Sequence, residues 1–380
     1  MLYRKFGKTN EMVSILGFGC MRLPLLPGED PTKIDEKKAI ELIRYAIDKG
    51  LNYIDTAYPY HSTGIFFKGQ SEPLVAKALA NGYRKKVKIA TKLPSWLIKT
   101  REDMDRFLNE QLERLTTDSI DFYLVHALNG NLWKYLQGIG IIDFLDQAIK
   151  DGRIKYAGFS FHDRYESFNK IVDAYDWSFC QIQYNYMDEN FQAGKNGLKY
   201  AAAKGLGVTV MGPLRGGKLA VQVPESVQDI FNQANIKRSP ADWALRWVWN
   251  HEEVTVLLSG MNAMEQVVEN LKIADEAEKN SLTKEDLAIV EKVKNAYKKR
   301  IKVPCTGCGY CMPCPSSVDI PTCFSCYNSY YMFGGEENYA ILSKQKIASN
   351  CVGCGKCEAH CPQFIKIREE LEKVKALFGK

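Results

Sequence analysis

The chain has 380 residues, 46% of them hydrophobic and 25% charged, with a formal net charge of +6. That length accommodates one large domain and a small one, and that composition is typical of a globular protein in water. There is no block of five like charges and no apolar run of about 18 residues, so neither a nucleic acid nor a membrane is an expected partner. The opening stretch MLYRKFGKTNEMVS has no apolar signal core, and a cytoplasmic location is expected from it.

In chain order, LYRKFGKTNEMV alternates about a turn at Gly7 to Asn10 and reads as a hairpin capping a barrel floor. Eight short apolar, β-branched runs follow, each with a helical pattern behind it. They are SILGFGC (Ser14 to Cys20), NYIDTA (Asn52 to Ala57), KIATKL (Lys88 to Leu93) and DFYLVHA (Asp121 to Ala127). YAGFSF (Tyr156 to Phe161), FCQIQYN (Phe179 to Asn185), GVTVMGPL (Gly207 to Leu214) and TVLLSG (Thr255 to Gly260) complete the set. Between the first two, DEKKAIELIRYAIDKG places Ala39, Ile40, Ile43, Ala46 and Ile47 on one helical face and stops at Gly50. Eight strand–helix units in succession argue for a closed (β/α)8 TIM barrel. An open doubly wound sheet fits less well, because no G-x-G-x-x-G follows the first strand.

Chemistry in such a barrel sits where the strands end. Asp55 ends the second strand and Tyr60 lies in the loop after it, while Lys92 and His126 end the third and fourth. Together they can form one site at the barrel mouth. The Asp holds the ammonium, and the ammonium beside the phenol is expected to lower the Tyr pKa. The Tyr then donates a proton to a carbonyl oxygen, which a neutral His orients. Taken singly, each has an ordinary structural explanation: a core histidine, a Lys–Asp pair closing the barrel, one tyrosine among twenty. All four at consecutive strand ends are harder to explain that way.

These stretches, with GRIKYAGFS, resemble the aldo-keto reductase family over roughly residues 1 to 275. The family's D-T-A-x-x-Y motif matches Asp55 through Tyr60, and its T-K and L-x-H elements match Lys92 and His126. The resemblance implies catalysis by Asp55, Tyr60, Lys92 and His126, with Tyr60 as proton donor. It also implies a nicotinamide site at Ser160 and Gln181 and a pyrophosphate loop in GPLRGGKL, involving Gly212, Leu214, Arg215 and Gly216, with Arg215 or Lys218 meeting a phosphate. Glu269 and Asn270 match the family's terminal E-N pair. The chain departs from the family at Phe161, where an Asn is usual, and at Met211, where an aromatic ring stacks on nicotinamide. GMNAMEQVVEN has no cation for a 2′-phosphate, which puts NADP(H) preference in doubt. NAD(H), a flavin, and a barrel fed only by other redox centres all stay open.

Twelve cysteines decide the rest. Ten fall between Cys305 and Cys361, leaving only Cys20 and Cys180 before them. So dense a local group in a reducing compartment reads as metal-binding, and the split places domains at 1–298 and 299–380. CVGCGKCEAHCP has the C-x2-C-x2-C-x3-C-P spacing of bacterial ferredoxins, and CTGCGYCMPCP is a copy one residue shorter. Crossed ligation puts Cys305, Cys308, Cys311 and Cys361 on one [4Fe–4S] cluster and Cys314, Cys351, Cys354 and Cys357 on a second. Zinc, which C-x2-C pairs also bind, fits eight cysteines with two C-P endings poorly. SCYNSYYMF and NYAILSKQKIAS look helical, so the region resembles an α-helical ferredoxin-like domain. Cys323 and Cys326 form an additional C-x2-C, read as packing thiols or alternate ligands.

A barrel with a two-cluster tail resembles an anaerobe-associated branch of the family. The expectation is an iron–sulfur oxidoreductase acting on a small-molecule carbonyl or alcohol, with a ferredoxin or another redox protein as an open partner. Two alternatives stand: an NADH-dependent reductase with structural clusters, and a non-enzymatic electron-transfer or redox-sensing subunit on a barrel scaffold.

Overall fold

The computed structural model describes residues 1–28, 30–221, 223–334, 339 and 342–379. The chain forms two compact units, Met1–Gly216 with Ala241–Thr283, and Gly217–Pro240 with Lys284–Lys380.

The first unit begins with an antiparallel hairpin, β1 (Tyr3–Lys5) and β2 (Met12–Ser14), in register Tyr3↔Ser14. Its turn requires glycine: Gly7 has φ +55°, and a Cβ there would sit 2.2 Å from the Gly207 nitrogen. Phe6, carried by this hairpin, is fully buried and plugs the barrel floor, with ring centroids 4.5 Å from Phe122 and 5.4 Å from Phe179.

Eight parallel strands then close on themselves: β3 (Leu16–Gly19), β4 (Tyr53–Asp55), β5 (Lys88–Leu93), β6 (Ile120–Leu128), β7 (Ile154–Phe161), β8 (Phe179–Gln183), β9 (Gly207–Met211) and β10 (Val256–Ser259). Each pairs with the next, and β10 pairs back onto β3 in register Leu257↔Leu16. All eight expected runs are therefore barrel strands. The first is shorter than its apolar run, because Ser14 already belongs to the hairpin. The helix after it spans Glu36–Asp48 and is capped by Asp35, whose carboxylate accepts from the Lys38 N–H at 3.1 Å.

The ladder between β6 and β7 shifts register between Val125 and Leu128, where Ala127 takes φ +52°. This irregularity frees the backbone at His126 and Ala127 from sheet pairing, at the mouth of the barrel. Ala127 N–H donates to Ser160 Oγ at 2.7 Å, and Ser95 Oγ donates to the His126 carbonyl.

The second unit is helical, with Glu225–Phe231, Lys284–Lys298, Ile320–Phe333 and Ile367–Phe378 as its longer elements. Val303, Val318, Ile320, Phe324, Ile365, Ile367, Leu371 and Val374 form its core. Asn328 ties the start of the cysteine region to this core: its Oδ1 accepts from the Lys302 and Val303 N–H groups, and its Nδ2 donates to the Val303 carbonyl at 2.7 Å. SCYNSYYMF lies in the helix Ile320–Phe333, as its pattern suggests. NYAILSKQKIAS differs. Asn338, Ala340 and Ile341 lie outside the described residues, and the rest form turns and a short 3-10 helix, Ala348–Asn350. Among the described residues, no helix is long and apolar enough to cross a membrane.

Candidate active site

Asp55 is the last residue of β4, Lys92 the penultimate residue of β5, and His126 lies in the irregular end of β6. Parallel pairing of Asp55 with Ala90 and of Lys92 with Leu124 aligns these three strand ends. Tyr60 reaches the same place from the loop after β4. Lys92, fully buried, donates to both Asp55 carboxylate oxygens at 2.8 and 2.9 Å, to the Thr56 carbonyl at 2.7 Å and to Tyr60 Oη at 3.2 Å. The Tyr60 and His126 rings stand edge to face, 6.3 Å between centroids. The structure thus brings all four sequence-identified residues together.

Burial pushes the Asp55 carboxyl up against the pull of the Lys92 ammonium, while for Lys92 the contacts with Asp55 and Tyr60 together outweigh burial and hold its pKa high. Tyr60 departs from expectation. Its pKa is raised, not lowered, because burial of the hydroxyl outweighs the attraction of the Lys92 charge. The phenol is therefore protonated at neutral pH. Since Lys92 donates to the phenol oxygen, the Tyr60 hydroxyl keeps its own proton for another acceptor. His126 is pushed well below its ordinary value, first by burial and then by Lys92 and His162, so its ring is neutral. Its Nδ1 is buried with no hydrogen-bond partner among the described residues. A protonated phenol and a neutral imidazole side by side can donate a proton to a carbonyl oxygen and orient it.

The expected nicotinamide positions lie on the neighbouring strands. Ser160 and Gln181 are buried and directly paired in the β7–β8 ladder. Gln181 Oε1 has no partner among the described residues, while its Nε2 lies 3.6 Å from Met211 Sδ. An unpaired buried amide oxygen suits an amide-bearing ligand. Phe161 is buried in place of the family's Asn. In the loop after β9, Gly212 and Gly216 take φ +65° and +71°, Leu214 is half-buried, and Arg215 pairs with Asp188 at 3.4 Å. Lys218 donates to Ser329 Oγ at 2.9 Å. Glu269 and Asn270 lie in the helix Met264–Glu276, where Asn270 donates to Ser259 Oγ at 3.0 Å.

In the second unit, Cys305, Cys308, Cys311 and Cys361 line one shared pocket, with Ile320, Phe324 and Ile365 among its apolar walls. Four thiols on one pocket, from the two motifs that crossed ligation joins, are the donor set a cubane cluster takes, although among the described residues no three ligating side chains are gathered as for a single bound ion. Cys314, Cys351 and Cys357 border the same apolar core, Cys357 lies within electrostatic reach of Cys351 and Cys314, and Cys354 is exposed. Burial raises the Cys311 thiol to about 11 and also raises Cys305 and Cys357. Cys323 and Cys326 are buried on the helix Ile320–Phe333, and Cys323 Sγ lies 3.6 Å from the Lys346 carbonyl.

Residues 15–295 match the aldo/keto reductase family, and residues 304–365 match a 4Fe-4S dicluster domain. The chain belongs to the aldo/keto reductase family. It is an oxidoreductase by that membership, and it carries a 4Fe-4S dicluster domain at its C-terminal end. Among its relatives, a probable aldo-keto reductase of Glycine max is 26% identical over 70% of this chain and 82% of its own length. L-galactose dehydrogenase of Arabidopsis thaliana is 25% identical over 77% of this chain and 95% of its own. The holo form of aldo-keto reductase AKR11C1 from Bacillus halodurans shares the fold, with a TM-score of 0.63 and 24% identity over 77% of this chain and 96% of that one.

One residue of this aldo/keto reductase escaped the sequence reading. Arg22, three residues past the end of β3, passes between two loops at the barrel mouth. Its Nη2 lies 3.3 Å from where a Cβ on Gly216 would sit, and its own Cβ lies 3.4 Å from the equivalent point on Gly260. The described residues set no carboxylate against it. A cation just beyond the first barrel strand was the available signal; nothing in the sequence shows that its neighbours in space are the glycines of two distant loops.

Proposed function

We propose that the chain reduces a carbonyl compound, or oxidises the corresponding alcohol, with electrons passing between two [4Fe–4S] clusters and the barrel site. The observation that carries the reading is the Asp55–Lys92–Tyr60 hydrogen-bond chain beside a neutral His126, in one polypeptide with a dicluster domain. Tyr60 donates the proton to the carbonyl oxygen; Lys92 fixes the phenol oxygen and stabilises the charge left on it; Asp55 holds Lys92; His126 orients the carbonyl. The balance is carbonyl plus two electrons and two protons to give alcohol, one proton reaching oxygen from Tyr60 and the other reaching carbon from water. Each bound cluster supplies one electron at a time, so two clusters together hold the pair the reaction consumes.

Cys305, Cys308, Cys311 and Cys361 would ligate one cluster and Cys314, Cys351, Cys354 and Cys357 the other. The pocket shared by the first four and the closeness of Cys357 to Cys351 and Cys314 support that division. We place the domain boundary at 298/299, in the interval between the two family matches, 15–295 and 304–365. Ser160 and Gln181 are the residues that would hold a carboxamide, with Gly212, Leu214, Arg215, Gly216, Glu269 and Asn270 along the remainder of a dinucleotide. A redox protein such as a ferredoxin is the partner we propose for delivering or collecting electrons.

A second reading, NADH-dependent reduction with structural clusters, is favoured by the unpaired Gln181 amide oxygen. The two readings separate in anaerobically purified protein. About eight irons per chain with a visible cluster band is expected, and zinc without such a band would remove the cluster reading. Carbonyl turnover with a one-electron donor and no nicotinamide supports the first reading; strict dependence on NADH with inert clusters supports the second. Arg22→Ala is expected to weaken dinucleotide binding, measured by fluorescence quenching, by about tenfold or less, as for one partly exposed charged contact. Unchanged affinity would remove Arg22 from the nucleotide site.

A further inference from the structure

We propose that the substrate carries an apolar body and that residues 61–69 close over it as a lid. This deepens the carbonyl reading and rests on it.

The segment directly follows Tyr60 and leaves and re-enters the barrel mouth at one point. Gly69 N–H donates to the Tyr58 carbonyl at 2.8 Å, Gln70 N–H to the His61 carbonyl at 3.0 Å, and Ser71 N–H to the Tyr60 carbonyl at 3.2 Å. The closure is tight enough that a Cβ on Gly69 would lie 1.8 Å from the Tyr60 oxygen. Inside the loop, Ser62 Oγ lies 2.8 and 2.7 Å from the Pro59 and Gly64 carbonyl oxygens, which share its one proton. Polar contacts therefore order the backbone, in the manner of a compact Ω-loop.

The tip is different. Ile65, Phe66 and Phe67 are consecutive and remain 59%, 65% and 60% exposed. Covering such side chains is favourable, a stabilisation that folding of the free chain leaves unused. Three together form an apolar surface of the kind that marks a binding site. Its location names the occupant. Trp96 Nε1 donates to the Ile65 carbonyl at 3.0 Å, and the Trp96 ring lies 5.0 Å from His126, whose ring faces Tyr60. The apolar tip is thus joined through one indole to the proton-transfer residues. A carbonyl whose oxygen meets Tyr60 and His126 extends its body toward Trp96 and the tip. Among the tip side chains no polar group is offered to a polyol, and Lys68 next to them is paired with Glu110 at 3.3 Å.

The test uses the full chain with its clusters loaded anaerobically. Values of kcat/KM are measured for straight-chain aldehydes of increasing length and for an aldose, with NADH, NADPH and a reduced viologen as donors. The expected result is a rise of about fourfold per added methylene, the equivalent of about 0.8 kcal/mol each, with the aldose poorer than any long aldehyde. In Phe66→Ser/Phe67→Ser that rise flattens toward onefold. The slope is a ratio within one preparation, so it does not depend on how much of the variant is active. A flat series, or preference for the aldose, overturns the apolar class; a slope that survives in the double variant overturns the lid. No turnover of any carbonyl with any donor overturns the carbonyl reading and this proposal together.

Discussion

Tyr60→Phe is expected to lower kcat/KM for carbonyl reduction by about 10²–10⁴-fold while leaving the fold intact, since general acid catalysis contributes on that order. The phenol is the group in the site that combines an available proton with contact to the buried ammonium, which donates to its oxygen at 3.2 Å. Phenylalanine keeps the ring that faces His126 and leaves Lys92 bound to Asp55 and Thr56. The loss should therefore fall on turnover and not on melting temperature. The pH profile gives an independent check. Burial raises the Tyr60 pKa above its ordinary value near 10 and lowers that of His126 well below 6.5. Reduction should thus be flat across neutrality, declining at high pH as Tyr60 loses its proton and at low pH as His126 gains one. A variant with unchanged turnover removes Tyr60 as proton donor.

Lys92→Met has a larger effect on stability. It leaves the Asp55 carboxylate, 3% exposed, without its partner, and breaking a buried pair costs about 3–5 kcal/mol. Activity is lost as well, because nothing then stabilises a phenolate on Tyr60. Adding Asp55→Asn to Lys92→Met removes the stranded charge, so the double variant should recover much of the stability and none of the activity. Chemical denaturation of the three proteins measures this. If Lys92→Met alone unfolds at the wild-type midpoint, Asp55 and Lys92 do not form the buried pair described here.

The barrel was legible because each of its strands is a short apolar run bounded by turn residues, and because D-T-A-x-x-Y is contiguous. The dicluster domain was legible from cysteine spacing, since two-residue gaps bring neighbouring thiolates around one centre. Three things were not. The Tyr60 pKa depends on a balance between burial and a nearby charge, and sequence gives the charge without the burial. NYAILSKQKIAS has helical composition, yet its described part turns so that Asp319 N–H can donate to the Lys346 carbonyl at 3.0 Å, a tertiary contact that overrides propensity. Arg22 and the Ile65–Phe67 tip gain meaning only from residues distant in sequence, Gly216 and Gly260 for one and Trp96 for the other.

In the proposed reaction, cluster electrons reach the barrel site. The most direct measurement is a single turnover: chain reduced anaerobically, excess reductant removed, a long-chain aldehyde added without nicotinamide, and the cluster absorbance followed. The clusters should reoxidise as alcohol forms, at most one alcohol per two electrons, and Tyr60→Phe should slow both together. Clusters that stay reduced in the presence of aldehyde, in protein that forms alcohol readily once NADH is supplied, would contradict it.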